Sequence, residues 1–392
     1  MNEDILNTEI QEFINSNINS NINALLLKGI IFPDINTKMI IEQIEAKQRS
    51  KTKLSTWFSA ENIYYPNKLN IEQTSSEITA KYKSELIEGD TIIDVTGGFG
   101  VDCFYFSKRF KKVTHCEINE TLSEIVSHNY KQLQADAIET VHVNGISYLM
   151  DSNKTYDWIY IDPSRRHDSK GKVFFLNDCL PNVPAHLDLL FSRSKNIMIK
   201  TSPLLDFSVG INELKHVKTI HVIAVNNEVK ELLWVLEADY HAPTRIKTIN
   251  IKKATHEVFN FSLEDEKHTE SQYSLPRSYL YEPNAAILKS GAFHQITEQL
   301  ELHKLHKHSH LYTSDTIKAF PGRTFRIDSI LPYNKKHLKK LGITKANITT
   351  RNFPESVQKI RKKLNIKDGG DLYLFFTTDL NDQKVVLITN KA

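Results

Sequence analysis

The sequence predicts an α/β protein: a doubly wound, seven-stranded sheet, preceded by a helical module and followed by an α+β region. Three observations carry this. Short apolar, β-favouring runs recur from Thr91 to about Ala238, with helix-like runs between the first five. The first run, TIIDV, ends in the glycine-rich turn TGGFG and is followed by a helix-like run from Val101 to Phe110. In the last third the pattern changes to paired strands and short basic helices.

Residues 1 to about 50 read as helical, with Ile14, Ile18 and Ile22 recurring every four residues and a second helix opening at Pro33-Asp34. Between 51 and 90, Trp57, Tyr64 and Tyr65 stand beside Lys51, Lys53 and Lys68, which fits a nucleic-acid surface or interface packing equally. The EQTSSEITAKYK segment starts a helix capped by Ser75 or Ser76, just upstream of the glycine turn. The strands then follow as Val113–Glu117, Thr140–Asn144, Tyr156–Asp162, Asn196–Thr201, Thr219–Val225 and Leu232–Ala238. Residues 245 to 265 alternate as an added hairpin or linker, and EDEKHTESQ (264–272) reads as a loop. From Pro321 the order is strand (Arg323–Ile330), helix (Lys335–Leu341), strand (Asn347–Arg351), helix (Glu355–Leu364), strand (Leu372–Thr378) and strand (Val385–Thr389).

Composition narrows the class. Hydrophobic content of 40% and charged content of 25% are ordinary for a soluble globular protein. No apolar run suggests a membrane span, and the N-terminus lacks a basic region followed by an apolar one, so a cytoplasmic protein is expected. Cys103, Cys116 and Cys179 have no metal-ligand spacing and read as small buried residues. His303, His306, His308 and His310 lack carboxylates or cysteines at matching spacing, so no metal is expected. The net charge of +3 hides an asymmetry: Leu331 to Lys367 carries eleven Lys or Arg and one acid, Glu355, a balance of +10. Such a segment suits a polyanion.

The glycine turn admits more than one ligand. A dinucleotide loop wants a third glycine and tolerates no acid at the pyrophosphate, whereas Gly98-Phe99-Gly100 is followed by Val101, Asp102 and Cys103. Acids at Asp94, Asp102 and Glu117 suit a cationic donor such as S-adenosylmethionine instead. A glycine-rich turn with no ligand is the remaining reading. Glu117 lies about 17 residues after Gly100, near the spacing at which an acid meets a ribose diol. Two more strand ends carry chemistry. One is Asp162-Pro163-Ser164-Arg165-Arg166, where the carboxylate can orient a target and the arginines can hold phosphate. The other is Lys200-Thr201-Ser202-Pro203.

These strings together, LNIEQTSSEITAKYK, DVTGGFGVD, YIDPSRRH, KTSPLLD, NEVKELLW, YLYEPNAAILKSG, YTSD, FPGRTFRI and ITTRNFP, resemble the bacterial S-adenosylmethionine-dependent methyltransferases with a C-terminal THUMP-like domain. The catalytic half is distantly similar to RNA methyltransferases acting on the exocyclic amine of guanine. The resemblance implies a Rossmann-like methyltransferase domain at 81–275, after a helical module at 1–80, then a small ferredoxin-like segment at 276–321 and a THUMP-like RNA-binding domain at 322–392. It places Asp94, Gly97 and Gly100 around the methionine part of the cofactor, with Thr96, Gly98 and Asp102 as further cofactor contacts. Glu117 would take the ribose, and Asn144 or Gly145 would lie at the adenine. Asp162 to Arg165 would lie over the reactive methyl, with Arg166, Lys200 and Arg351 as substrate contacts.

Two departures sharpen the expectation. Ser164 and Arg165 follow Asp162-Pro163 where amine methyltransferases carry a second proline and then an aromatic residue that stacks the target base, which argues against an amine target, and Thr201-Ser202-Pro203 stands where carbon methyltransferases carry a cysteine nucleophile. The sequence therefore points to direct in-line methylation of a base in structured RNA, ribosomal or transfer RNA, without a covalent enzyme intermediate. The alternatives are a cofactor-sensing or degenerate RNA-binding protein without turnover, a methyltransferase acting on another substrate, and an NAD-dependent enzyme. Oligomeric state is not encoded in any pattern found.

Overall fold

The computed structural model describes residues 1–28, 32, 35–165 and 175–392. By contacts the chain divides into two units: Met1–Val217 with Trp234–Tyr240, and Lys218–Leu233 with His241–Ala392. Two sheets dominate. Strands β1 (Thr91–Asp94), β2 (Lys112–Glu117), β3 (Ile138–His142) and β4 (Trp158–Ile161) come first, then a two-residue ladder of β5 (Ser164–Arg165) and β6 (Cys179–Leu180). Strands β7 (Asn196–Thr201), β8 (Val217–Val225), β9 (Glu228–Glu237), β10 (Arg245–Ile251) and β11 (His256–Ser262) complete the larger sheet. Its order is β11-β10-β8-β9-β7-β4-β1-β2-β3.

The seven expected strands thus share one sheet, and the β10–β11 hairpin lengthens it by two. Strand β1 pairs in parallel with both β2 and β4, and β4 with β7. The chain therefore leaves β1 towards β2 and β3, then returns to build β4 and β7 on the other side. In sheets of this kind the carboxyl ends of the strands flanking such a reversal, here β1 and β4, are where ligands bind. The strands are short and buried on both faces: Ile92, Ile93, Ile159, Ile161, Ile197 and Ile199 are all inaccessible.

Helices of the first unit are α1 (Thr8–Ser16), α2 (Ile22–Lys28), α3 (Thr37–Lys53), α4 (Ser55–Ser59), α5 (Lys68–Gln73) and α6 (Glu77–Glu85). Then come α7 (Val101–Phe106), α8 (Glu120–Gln132), α9 (Gly145–Asp151), α10 (Val183–Arg193) and α11 (Phe207–Glu213). Side-chain caps from Asn7, Asn36, Asn67, Ser76, Asn119, Asn144, Asn182 and Asp206 start eight of them. The N-terminal apolar stripe does not make one helix. It breaks at Asn17–Asn21 between α1 and α2, where the asparagines favour turn over helix. The helix expected to open at Pro33-Asp34 begins at Thr37; those two residues lie outside the described ones. Trp57, Tyr64 and Tyr65 are buried, which selects packing over a nucleic-acid surface.

The second unit continues with α12 (Leu263–His268), β12 (Tyr279–Pro283), α13 (Ala285–Ser290), α14 (Gln295–Gln299), β13 (His303–Lys304), β14 (Tyr312–Ser314) and β15 (Gly322–Pro332). It ends with α15 (Lys335–Lys340), β16 (Asn347–Arg351), α16 (Val357–Leu364), β17 (Tyr373–Thr378) and β18 (Lys384–Lys391). The loop expected at 264–272 is partly helical. Ser262 caps α12, and three acids in its first turn favour the helix dipole. The smaller sheet runs β13-β14-β12-β15-β18-β17-β16.

Two apolar clusters form around this sheet. Leu338 of α15 and Ile360 and Leu364 of α16 pack with Ile348, Leu374, Phe376 and Val386, while Leu280, Leu305, Phe325, Phe375 and Leu387 form the other cluster. Strand alternation explains the division, since Leu374 and Phe376 point one way and Phe375 the other. Phe376 is inaccessible and meets the rings of Tyr333 and Phe353 edge-on, at 5.9 and 5.6 Å between centroids. Truncating it removes the largest side chain of the helix-covered cluster. Phe376→Ala should destabilise the unit by about 3–5 kcal/mol in urea unfolding, and a loss below about 1 kcal/mol would contradict this packing.

Candidate active site

The site grows from the carboxyl edge of the parallel strands. Asp94 ends β1, and burial leaves it 2% exposed. Its Oδ1 accepts hydrogen bonds from the Thr96 backbone N–H at 2.8 Å and from Thr96 Oγ1 at 3.0 Å. The same Thr96 hydroxyl accepts the backbone N–H of Asp162 at 2.7 Å, so one side chain ties the end of β1 to the end of β4. Asp162 is in turn held by the ammonium of Lys200 on β7. On the other side, Glu117 at the end of β2 accepts the Gly98 N–H at 2.9 Å and the Asn119 N–H at 2.7 Å. A continuous hydrogen-bonded row therefore crosses the edge from β2 to β7.

The glycines are needed for reasons partly hidden in the sequence. A Cβ on Gly97 would lie 2.3 Å from Nε2 of His115, the residue that forms the floor of the turn. A Cβ on Gly100 would meet the Tyr130 hydroxyl at 2.0 Å, and its φ of +77° is itself a left-handed conformation. A Cβ on Gly145 would lie 2.3 Å from the Val95 carbonyl. Gly98 alone has room beside it, and there the φ of +56° is the constraint. Thus the protein's own side chains and backbone crowd three of these four positions from within.

His115 was not anticipated. It is fully buried and donates from Nε2 to the Gly98 carbonyl at 3.2 Å, and among the described residues its Nδ1 has no hydrogen-bond partner. Burial lowers its pKa, so the ring is neutral. Its position on a strand, two residues before Glu117, was the available signal.

Asp102, in the first turn of α7, is directed into the protein. Ser75 Oγ and Tyr160 Oη each donate to its Oδ2 at 2.8 Å, and Lys83 Nζ lies 2.9 Å from Oδ1. Lys83, on α6, is itself inaccessible and also donates to Ser75 Oγ at 2.9 Å. Burial alone would raise the Asp102 pKa; the charges of Lys83 and Lys200 outweigh it and hold the group below the usual carboxylate range. The negative charge inferred to face a ligand is thus matched internally.

Among the described residues no cation lies within ion-pair distance of Asp94. Burial, reinforced by the Asp102 charge, pushes its pKa up to about 7 against the Thr96 hydrogen bonds. Cys103 Sγ, 3.4 Å from Oδ2, is a weak donor. A carboxyl that is half protonated near neutrality is poised to ionise when a cation arrives.

The remaining expected residues fall as follows. Asn144 uses its Oδ1 to cap α9, at 3.0 Å from the Ile146 N–H and 3.1 Å from the Ser147 N–H. Pro163 is buried and Ser164 exposed; Ser164 and Arg165 pair along the backbone with Leu180 and Cys179. Arg166 lies outside the described residues. Arg351 belongs to the second unit, at the end of β16. Among the described residues no group of His, Cys, Asp or Glu is placed to hold a metal ion, and no helix is long and apolar enough to cross a membrane.

Comparison with known proteins adds to this geometry. Residues 322–391 match a family model described as THUMP domain-like, and residues 279–321 one described as a ferredoxin-like domain. No curated protein matches the chain. A crystal structure of a candidate methyltransferase from Porphyromonas gingivalis W83 matches with a TM-score of 0.89 and 32% identity, over 100% of this chain and 99% of that one. A candidate methyltransferase from Escherichia coli matches with a TM-score of 0.32 and 17% identity, over 42% of this chain and 85% of its own. An rRNA methylase from Streptococcus thermophilus matches with a TM-score of 0.31 and 15% identity, over 41% and 93%.

Two outcomes follow from the buried charges. Lys83→Met strands the Asp102 charge and should cost about 3–5 kcal/mol, much of which a Lys83→Met/Asp102→Asn double variant should recover in the same urea titration. For Asp94, the folded state keeps its proton up to about pH 7 while the unfolded chain releases it near 3.8. The folded state therefore holds more protons between those values, and this group's contribution falls as pH rises from about 4 to about 7. Wild-type stability relative to Asp94→Asn should decline by a few kcal/mol over that window, on the order of 1.4 per pKa unit; a flat difference would mean that Asp94 ionises normally.

Proposed function

The chain belongs to the bacterial methyltransferase family of the Porphyromonas gingivalis protein, and from that footing we propose that it methylates a base in structured RNA, ribosomal or transfer RNA, using S-adenosylmethionine. The observation that carries this reading is the row of groups along the carboxyl edge, from Glu117 through the glycine turn and Asp94 to Asp162 and Lys200. It offers carboxylates for a ribose diol and for a cationic amino-acid portion, beside a turn with no phosphate-matching charge. S-adenosylmethionine brings a methyl on a sulfonium, an excellent leaving group.

What the chain must add is placement and proton handling. Asp94 ionises as a cationic ligand settles beside it, which strengthens the pairing and releases a proton. Asp162, fixed through its backbone by Thr96 and through its carboxylate by Lys200, accepts a hydrogen bond from the target and orients it. Transfer is in line, without a covalent enzyme intermediate. Burial pushes the Cys103 and Cys116 thiols up, and Cys179 is fully buried, its Sγ 3.6 Å from the Phe175 carbonyl.

The RNA part of the reading rests on the second unit. Helices α15 and α16 contain no acid, and two of their cations are matched locally, Arg361 with Asp368 and Lys363 with Glu355. Lys335, Lys336, Lys339, Lys340, Lys359 and Lys362 are exposed. Among the described residues none of these six has an acidic partner within ion-pair distance. A helix layer with unmatched lysines suits the phosphates of a folded RNA.

Calorimetry tests the cofactor assignment directly. S-adenosylmethionine should bind, tighten as pH rises from 6 to 8, and release a proton detectable in buffers of different ionisation enthalpy. Asp94→Ala should abolish that binding while leaving affinity for total RNA unchanged. Unaltered cofactor affinity in this variant would remove the assignment; cofactor binding without labelled-methyl transfer into total RNA would favour a sensor or another substrate.

A further inference from the structure

Glu282 lies on β12, opposite Arg323 of β15, and its side chain is 4% exposed. A carboxylate so far from water requires a counter-charge. Arg323 supplies it, donating to Oε2 from Nε at 2.6 Å and also from Nη2. A second guanidinium is present that this charge balance does not require. Nη2 of Arg351 lies 2.7 Å from Oε1, but off the line of a hydrogen bond, so the contact is one of charge.

Two guanidiniums on one carboxylate leave a surplus positive charge, and both arginines are more than a third exposed, at 43% and 38%. Among the described residues, Nη1 of Arg323 and most N–H groups of Arg351 have no hydrogen-bond partner. Arg351 gives a single hydrogen bond, from Nη1 to the Thr350 carbonyl at 3.0 Å, and Arg323 adds one long contact to Thr349 Oγ1 at 3.4 Å. The Arg323 guanidinium is steadied against the rings of Phe325 and Phe375, 5.4 and 5.9 Å from their centroids.

Further basic groups lie nearby. His310, stacked on Phe293 at 3.6 Å between centroids, has its pKa pushed down to about 4. Burial is the first cause; the others are Lys304, His308, Arg351 and His294, every one a cationic or ionisable basic group. We propose that Arg323 and Arg351, held by Glu282, form a binding site for a phosphate group. Planar guanidiniums with free N–H groups match phosphate oxygens in pairs. Glu282 is the positioning residue, and Arg351, which the buried carboxylate does not need for neutrality, is the phosphate contact. The source of the phosphate, a nucleic-acid backbone, rests on the RNA reading given above.

The variant of choice is Arg351→Met, because Arg323 still neutralises Glu282 and the unit should fold; Arg351→Lys is the control that retains charge without the planar fork. Two probes separate the site from its source. Inorganic pyrophosphate should raise the melting temperature of the full chain, and the rise should vanish in Arg351→Met. Bulk transfer RNA should bind the variant about five- to tenfold more weakly, with a salt slope smaller by roughly one phosphate contact. Protection by pyrophosphate through Arg351 with no RNA binding would keep the site and remove the RNA reading. Equal RNA affinity and salt slope in both proteins, with no pyrophosphate protection, would overturn the site and leave the RNA reading standing.

Discussion

A lysine that no water reaches holds the candidate site together. Lys83 sits on α6, Asp102 on α7, Tyr160 on β4, and Ser75 just before α6; their side chains converge on one buried charge pair. Burying two ions is costly, and the cost is offset only because the remaining oxygens and protons find partners as well. Once formed, the cluster fixes the first turn of α7 against the sheet, and that turn fixes the glycine loop. The arrangement tolerates little error, since losing one partner leaves the other charged, dry and alone.

The consequence is a division of labour among carboxylates that look alike in sequence. Asp102 is neutralised from within. Glu117 is occupied by two backbone N–H groups, Asp162 by Lys200, and Asp94 by Thr96 and, weakly, the Cys103 thiol. Burial pushes the Asp94 pKa up to about 7, so its charge can respond to what binds. Its neighbour Thr96 transmits its position directly to Asp162.

The second unit separates charge in the same manner. Glu355 and Asp368, beside the basic helices, are each matched to one cation, and the lysines left over on those helices are exposed. Inside, Glu282 is matched twice over. Net charge alone cannot distinguish these two situations, because a paired and an unpaired lysine count equally. Pairing decides which cations a polyanion would meet.

Strand alternation and helix spacing made the elements legible. The seven strands of the large sheet, the β10–β11 hairpin and the order of the C-terminal module follow from period, turn residues and caps, because those depend on neighbours a few positions apart. The glycine turn and the acids at the strand ends were legible for the same reason. What only the tertiary structure decided was where each charge and each glycine points. His115 beneath Gly97, Lys83 against Asp102 and Arg351 beside Glu282 join residues 18, 19 and 69 positions apart. Local sequence cannot report such pairings: burial raises the energy of an unmatched charge whatever lies next to it in the chain, and the partner is supplied by packing.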